Sequence, residues 1–320
     1  MQTWKTIFRI LLLLVFATLS ACLLFPVVWA VVAAWMDYPP DRVFRRVWML
    51  TILAGLILWR QDMGLRSPAA VGFAWSKGSV WNAVVGVSIA FVFLGILSAV
   101  YTQLSYWQWQ VPEVNAKLVR RFFESPLKGA VIAGLEEYIF RGLIFLSLAR
   151  LMGWFKAALV CSAIFSCLHF LEGRGLGQAV EPSSWKAGFL LCADLLQGMG
   201  SRFQFFPAAV GLFLVGMIMC HATIRTGTLW FAAGLHGGWI WYSTFCKHFF
   251  DYTHTDLFLT GGIRLFDGVI PIAGMLVIFP ITYAFCRWRI LHCEPIDTPS
   301  PGIAVEKASS EVAEEPSSSA

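Results

Sequence analysis

The chain has 320 residues, of which 58% are hydrophobic and only 13% charged, with a mean hydropathy of +0.68. Soluble domains carry about 25% charge, and a water-facing surface does not tolerate 15 Trp and 27 Phe of added bulk. A soluble globule, a disordered chain, a collagen-like rod and a small disulfide scaffold are excluded, which leaves an all-α polytopic transmembrane bundle. The net charge is +5, but residues 294–320 alone carry six acids and one base, so the rest of the chain is at +10. A basic membrane body suits an anionic lipid bilayer as its partner. No Lys/Arg run interleaved with aromatics lies outside the apolar stretches, so there is no nucleic-acid footprint.

In chain order, hydropathy predicts about eight spans. Span 1 covers about 10–35, with Pro26 as a candidate kink. Lys5 and Arg9 precede it, and Leu19-Ser20-Ala21-Cys22 resembles a lipoprotein signal box, which raises the question whether Cys22 is lipidated. The uncharged run from Ile10 to Trp35 is 26 residues, longer than the 7–15 of a signal peptide, so a retained span is expected. Span 2 covers about 43–59 and a polar connector 60–79. Span 3 covers about 80–102. Over 105–128, Val114, Leu118, Phe122 and Phe123 recur at helical spacing opposite Lys117, Arg120 and Arg121, the pattern of an interfacial amphipathic helix. Spans 4 and 5 cover about 129–149 and 154–171. A Gly-containing loop follows at 172–202. Spans 6, 7 and 8 cover about 203–224, 228–246 and 268–287. The Ser/Pro/Glu-rich tail, 294–320, is expected to be disordered.

The organisation is therefore N-terminal spans and connectors (1–126), a central core (127–246), a loop with the last span (247–293) and the acidic tail (294–320). No internal repeat supports a carrier made of duplicated halves. Eight scattered cysteines without a CxxC offer no metal knuckle or redox motif.

Most spans are bare of charge, but span 4 reads Gly134-Leu135-Glu136-Glu137-Tyr138-Ile139-Phe140-Arg141-Gly142. Each ionisable group at mid-bilayer costs at least ~2.5–3.5 kcal/mol, so all three must face protein or water. Glu137 and Arg141, four apart, share a helix face and can pair. Glu136 points about 100° away and is free for other work, such as that of a general base. Span 5 ends in Phe165-Ser166-Cys167-Leu168-His169, and span 7 contains Leu235-His236-Gly237-Gly238-Trp239. Two histidines and a carboxylate from three helices could converge on one water or one metal ion, so Glu136, His169 and His236 are also the candidate ligands. Gly234, Gly237 and Gly238 would let helices approach closely there. His221, near the end of span 6, is expected to meet the interface. His248, His254 and His292 are expected in loops.

These residues resemble the CAAX-protease and bacteriocin-processing (CPBP) intramembrane proteases, which include the type II CAAX prenyl endopeptidases and Abi-type immunity proteins. Glu136-Glu137 with Arg141 matches EExxxR, Phe165 with His169 matches FxxxH, and Arg225-Thr226-Gly227-Thr228-Leu229-Trp230 through Leu235-His236 looks like the third block. The resemblance covers about 127–243. It implies an intramembrane endopeptidase of a bacterial-type inner membrane, acting on a membrane-associated peptide. In it, Glu136 and His169 would hold and activate water, His236 would stabilise the oxyanion, and Glu137 with Arg141 would form the supporting pair. A divalent metal such as zinc, or no metal at all, is compatible with the resemblance, and no organic cofactor is implied. One departure stands out. The family has Asn or Asp four residues after the last histidine, where this chain has Ile240. Isoleucine can neither donate to an oxyanion nor bind metal, so a catalytically weak or inactive scaffold of the immunity type is the alternative. Trp239 carries an N–H one residue away, on a different face. The serine and aspartyl signatures GxSG, GxSxG and GxGD and the zinc motif HExxH are absent.

Overall fold

A computed structural model describes residues 2–35, 39–60, 65, 67–170, 180–202, 206–252, 258–261 and 267–292. The helices are α1 (Gln2–Ala33), α2 (Pro40–Trp59), α3 (Lys77–Gln103), α4 (Ala116–Glu137), α5 (Leu146–Met152), α6 (Trp154–His169), α7 (Ala187–Arg202), α8 (Phe206–Thr226), α9 (Trp230–Phe245) and α10 (Val269–His292). A π-helical stretch, Tyr138–Phe145, joins α4 to α5, and a 3-10 turn, Cys246–Phe249, follows α9. The all-α expectation holds apart from one short ribbon. There β1 (Trp107–Trp109) pairs antiparallel with β2 (Phe250–Tyr252), Gln108 opposite Asp251.

Among the described residues, four helical stretches, Leu12–Ala33, Gly78–Gln103, Phe206–Thr226 and Val269–Arg289, are long and apolar enough to cross a membrane. The remaining expected spans are short or charged. Trp154–His169 is shorter, α9 has 16 residues, the start of α2 carries Asp41, Arg42, Arg45 and Arg46, and the fourth expected span carries Glu136, Glu137 and Arg141. Two expectations are corrected. The amphipathic stretch 105–128 is not a separate helix. It opens with β1, and its helix begins at Ala116, where the Asn115 side chain accepts from the Leu118 N–H (3.0 Å), then runs without a break into span 4. The region 172–202 is not loop throughout, because α7 occupies its second half. The acidic tail, 294–320, lies outside the described residues.

The chain divides into two compact units, Met1–Gly64 with Cys167–Gln204, and Leu65–Ser166 with Phe205–Ala320. The first unit packs α1, α2 and α7 around Phe25, Phe44, Val47, Leu191 and Leu195. Trp48 Nε1 donates to Thr18 Oγ1 (2.9 Å), and Thr51 Oγ1 donates to the Ala17 carbonyl (3.0 Å), tying α2 to α1. Cys22 is 2% exposed, and its backbone lies directly against Gly188 of α7, so the residue of the signal-box pattern sits mid-helix in this core.

In the second unit α9 is the central element. It runs parallel to α3, from the Ala83–Gly234 contact to the Tyr242 hydroxyl, which donates to Ser98 Oγ (2.9 Å). Against α4 it is antiparallel, from Phe122–Phe245 (5.5 Å between ring centroids) through Gly129–Gly237 to Glu137–His236. Small residues make both crossings possible. A Cβ on Gly86 would lie 2.5 Å from the Phe231 carbonyl, and one on Gly129 would lie 2.5 Å from the Gly237 carbonyl. The expected close approach at Gly234, Gly237 and Gly238 is present, since Gly238 also lies against Val87 and Ala90. The Gly86 crossing sits roughly 12 Å along α3 from Gly78 and roughly 25 Å from Gln103, at 1.5 Å rise per residue. At the Gly78 end, Arg289 Nη1 of α10 donates to the Thr226 carbonyl at the end of α8 (3.0 Å).

Gly129→Ala should therefore destabilise the protein by about 1–3 kcal/mol, because the methyl group meets backbone. Gly95, with nothing within 4 Å of its own added Cβ, is the control. Gly95→Ala should leave the thermal midpoint in detergent unchanged or raise it.

Candidate active site

The site begins where α4 ends. After Glu137 the backbone widens into the π-helical stretch, and the Leu146 N–H bonds to the Arg141 carbonyl, five residues back. Such bulges gather at functional sites, because they re-aim side chains and free backbone carbonyls. Here the Phe140 carbonyl accepts from Cys161 Sγ of α6 (3.2 Å).

Glu137 and Arg141 are fully buried, with Arg141 Nη1 donating to Glu137 Oε1 at 3.0 Å. This is the ion pair that the i,i+4 spacing predicts. The same Oε1 also lies 2.8 Å from Nδ1 of His236, delivered by α9. A carboxylate oxygen only accepts, so Nδ1 carries the hydrogen and Nε2 is left as the outward-facing nitrogen. Nε2 stands 3.7 Å from Glu136 Oε2. The Glu136 side chain is 21% exposed against 0% for Glu137, with its Oε2 atom itself buried beside His236.

Phe165 of α6 closes the other side. The Arg141 guanidinium lies 4.4 Å from its ring centroid, and the ring meets His236 edge-on at 6.1 Å. Among the described residues, Arg141 Nε and Nη2 have no hydrogen-bond partner. The aromatic face supplies a cation–π contact to that part of the guanidinium. Sequence reasoning placed Phe165 only as the first letter of a motif and did not find its contact with Arg141. Its position, four residues before His169, was the available signal. The link from Glu137 to His236 was likewise missed, since no sequence spacing relates residues on separate helices.

The other expected residues fall as follows. His169 is the last residue of α6, is half-buried, and belongs to the first compact unit, whereas Glu136, Glu137, Arg141 and His236 belong to the second. Ile240 is half-buried one turn after His236, and its side chain offers only hydrocarbon. Trp239 does not replace the missing donor. Its ring packs on Phe93 of α3 at 5.4 Å, the side of α9 away from α4. His221 does not meet the interface. It is 5% exposed and boxed by Phe279 (5.4 Å), Tyr283 (5.5 Å) and Trp154 (6.2 Å). His248 lies in the 3-10 turn and His292 ends α10 rather than a loop. His254 lies outside the described residues.

Catalytic zinc sites use three protein ligands. Among the described residues no group of three or more His, Cys, Asp and Glu side chains is arranged to hold a metal ion. Glu136 and Nε2 of His236 make two donors, with Glu137 already engaged. That set does not fit a catalytic metal by itself, whereas a carboxylate and an imidazole can activate water without one.

Residues 120–242 match the family model described as Type II CAAX prenyl endopeptidase Rce1-like. All three motif blocks lie inside that stretch, so the family is the one the sequence resembles. No curated protein and no solved structure gives a match.

Arg141→Ala should cost about 3–5 kcal/mol, because it leaves the Glu137 carboxylate buried and unpaired. The double change Glu137→Leu with Arg141→Met removes both charges and should recover much of that loss. Chemical or thermal unfolding of the three proteins in detergent checks both outcomes.

Proposed function

We propose that this chain is an integral-membrane endopeptidase of about eight spans that hydrolyses a peptide bond in or near the bilayer. The observation that carries the reading is the pair Glu136 Oε2 and His236 Nε2, 3.7 Å apart, with Nδ1 of the same ring bonded to buried Glu137. One water oxygen can lie about 2.8 Å from both atoms, within hydrogen-bond reach of each. Glu136 takes the proton of that water as it attacks the carbonyl carbon of the scissile bond. In the form protonated on both nitrogens, His236, its orientation fixed through Nδ1, donates from Nε2 to the oxygen that gains negative charge. Glu136 then passes the proton to the leaving nitrogen. Glu137 and Arg141 touch none of the reacting atoms, and they hold the ring that does. On its sequence motif alone, His169 is a further candidate for holding the water. A metal such as zinc would need a ligand beyond Glu136 and His236, and His169 is the sequence's candidate. Elemental analysis of the purified protein with and without His169→Ala tests that point. The proposed substrate is a membrane-associated peptide or protein, and the proposed location is a bacterial inner membrane.

Ile240 favours a second reading, a scaffold or immunity-type relative with little or no turnover. Loss of one oxyanion donor lowers rates by about 10²–10³.

Glu136→Gln separates the two readings. It should abolish cleavage while leaving the thermal midpoint nearly unchanged, and comparative membrane proteomics against wild type should show an uncleaved polypeptide accumulating. If nothing accumulates and the phenotype persists, the scaffold reading stands and the hydrolase fails. In an active enzyme, Ile240→Asn should raise turnover by as much as ~10²-fold, measured on the peptide so identified.

A further inference from the structure

At the Gln103 end of α3, just beyond its apolar stretch, three segments of the second unit meet. The Trp107 ring caps Tyr101 of α3 (4.9 Å), and the Gln110 N–H donates to the Phe249 carbonyl (2.9 Å). Phe245 contacts both Phe122 of α4 (5.5 Å) and Phe249 (5.5 Å). The first turns of α4, the turn Cys246–Phe249 and the β1–β2 ribbon thus form one corner. Its rim exposes Trp109 (60%), Phe122 (50%) and Phe123 (68%). Large aromatics at the end of a span are the residues that settle at headgroup depth.

The charge at this corner is unbalanced. Arg121 Nη1 lies 2.5 Å from Nε2 and 3.2 Å from Nδ1 of His248, so a guanidinium donates to a neutral imidazole instead of to a carboxylate. Among the described residues, the charged groups acting on His248 are Arg121, Lys247 and Lys117, all cations. Together with burial, the larger cause, they hold its proton affinity below that of an ordinary histidine. Lys117 and Arg121 are one helical turn apart and share a face of α4. Glu124 is taken by Arg120 at 3.3 Å, and Glu113 and Asp251, the other acids on these segments, are exposed. Like charges brought together at the end of an apolar helix call for a counter-ion, and the bilayer surface supplies phosphodiesters at that level.

We propose that Lys117, Arg121, Lys247 and His248 form a binding site for the phosphate of an anionic phospholipid, with Trp109, Phe122 and Phe123 flanking it in the headgroup region. The lipid would anchor the start of α4 and the end of α9, the two helices that carry Glu136 and His236. The site does not depend on the hydrolytic reading.

The test uses the full chain in non-ionic detergent, titrated with short-chain phosphatidylglycerol, phosphatidylcholine or inorganic phosphate, and read by native mass spectrometry and by thermal midpoint. Phosphatidylglycerol should bind and raise the midpoint, and phosphatidylcholine should not. The pair Arg121→Gln with Lys247→Gln should weaken phosphatidylglycerol binding about 30-fold, at roughly 1 kcal/mol per basic residue. The charge-retaining pair Arg121→Lys with Lys247→Arg should bind within a few-fold of wild type. Lys247 is exposed, so Lys247→Gln alone should fold and should weaken binding about 5-fold. Equal response to the two lipids, or unchanged binding in the Gln variants, would overturn the site. A midpoint rise from inorganic phosphate equal to that from phosphatidylglycerol would overturn the lipid assignment.

Discussion

One oxygen atom organises the centre of the second unit. Glu137 Oε1 accepts both from Arg141 on its own helix and from His236 on α9. A carboxylate removed from water needs such donors, since its desolvation costs several kcal/mol. The two donors differ in consequence. Arg141 neutralises the charge, and His236 turns the same contact into an orientation. The imidazole is thereby held with one nitrogen inward and the other toward Glu136, so a stability requirement and the geometry of the candidate site are met by one group.

That contact requires α4 and α9 to run close together, and the glycines set the spacing. Gly129 against Gly237 brings the two backbones within reach of each other, and Gly86 against Phe231 and Leu235 does the same for α3. Close backbone approach fixes the axes, and the side chains at the next turn then have little freedom left. The π-helical stretch that follows adds a second adjustment. It keeps Arg141 one turn from Glu137 and places its guanidinium on Phe165, which belongs to α6. Three helices are thus committed at one level, each by a different kind of interaction.

Much of this was legible in the residues. The i,i+4 spacing of Glu137 and Arg141 identified the pair, and the angular offset of Glu136 separated the two carboxylates, because both relations are local to one helix. The glycines around His236 announced a tight crossing. Non-local relations were not legible. Nothing in the spacing of 136–142 and 236 shows which carboxylate the imidazole prefers, and only packing decides it. The start of the amphipathic stretch was misread for a related reason. The helical spacing of Val114, Leu118, Phe122 and Phe123 does not reach back to Trp107 and Trp109, two apart, whose strand is made by pairing with Phe250–Tyr252, more than a hundred residues away. Four of the described helices are long and apolar enough to cross a membrane, and hydropathy alone does not tell a membrane-crossing helix from a short buried one such as α9.

The level of the Gly86 crossing along α3 has a consequence for what the proposed reaction could release. His236 follows immediately after the α9 residues at that crossing, about a third of the way in from the Gly78 end. A helical substrate cut at this height would be severed within a single leaflet. The fragments would be unequal, one a stub short enough to leave into water and the other still holding most of its anchor in lipid.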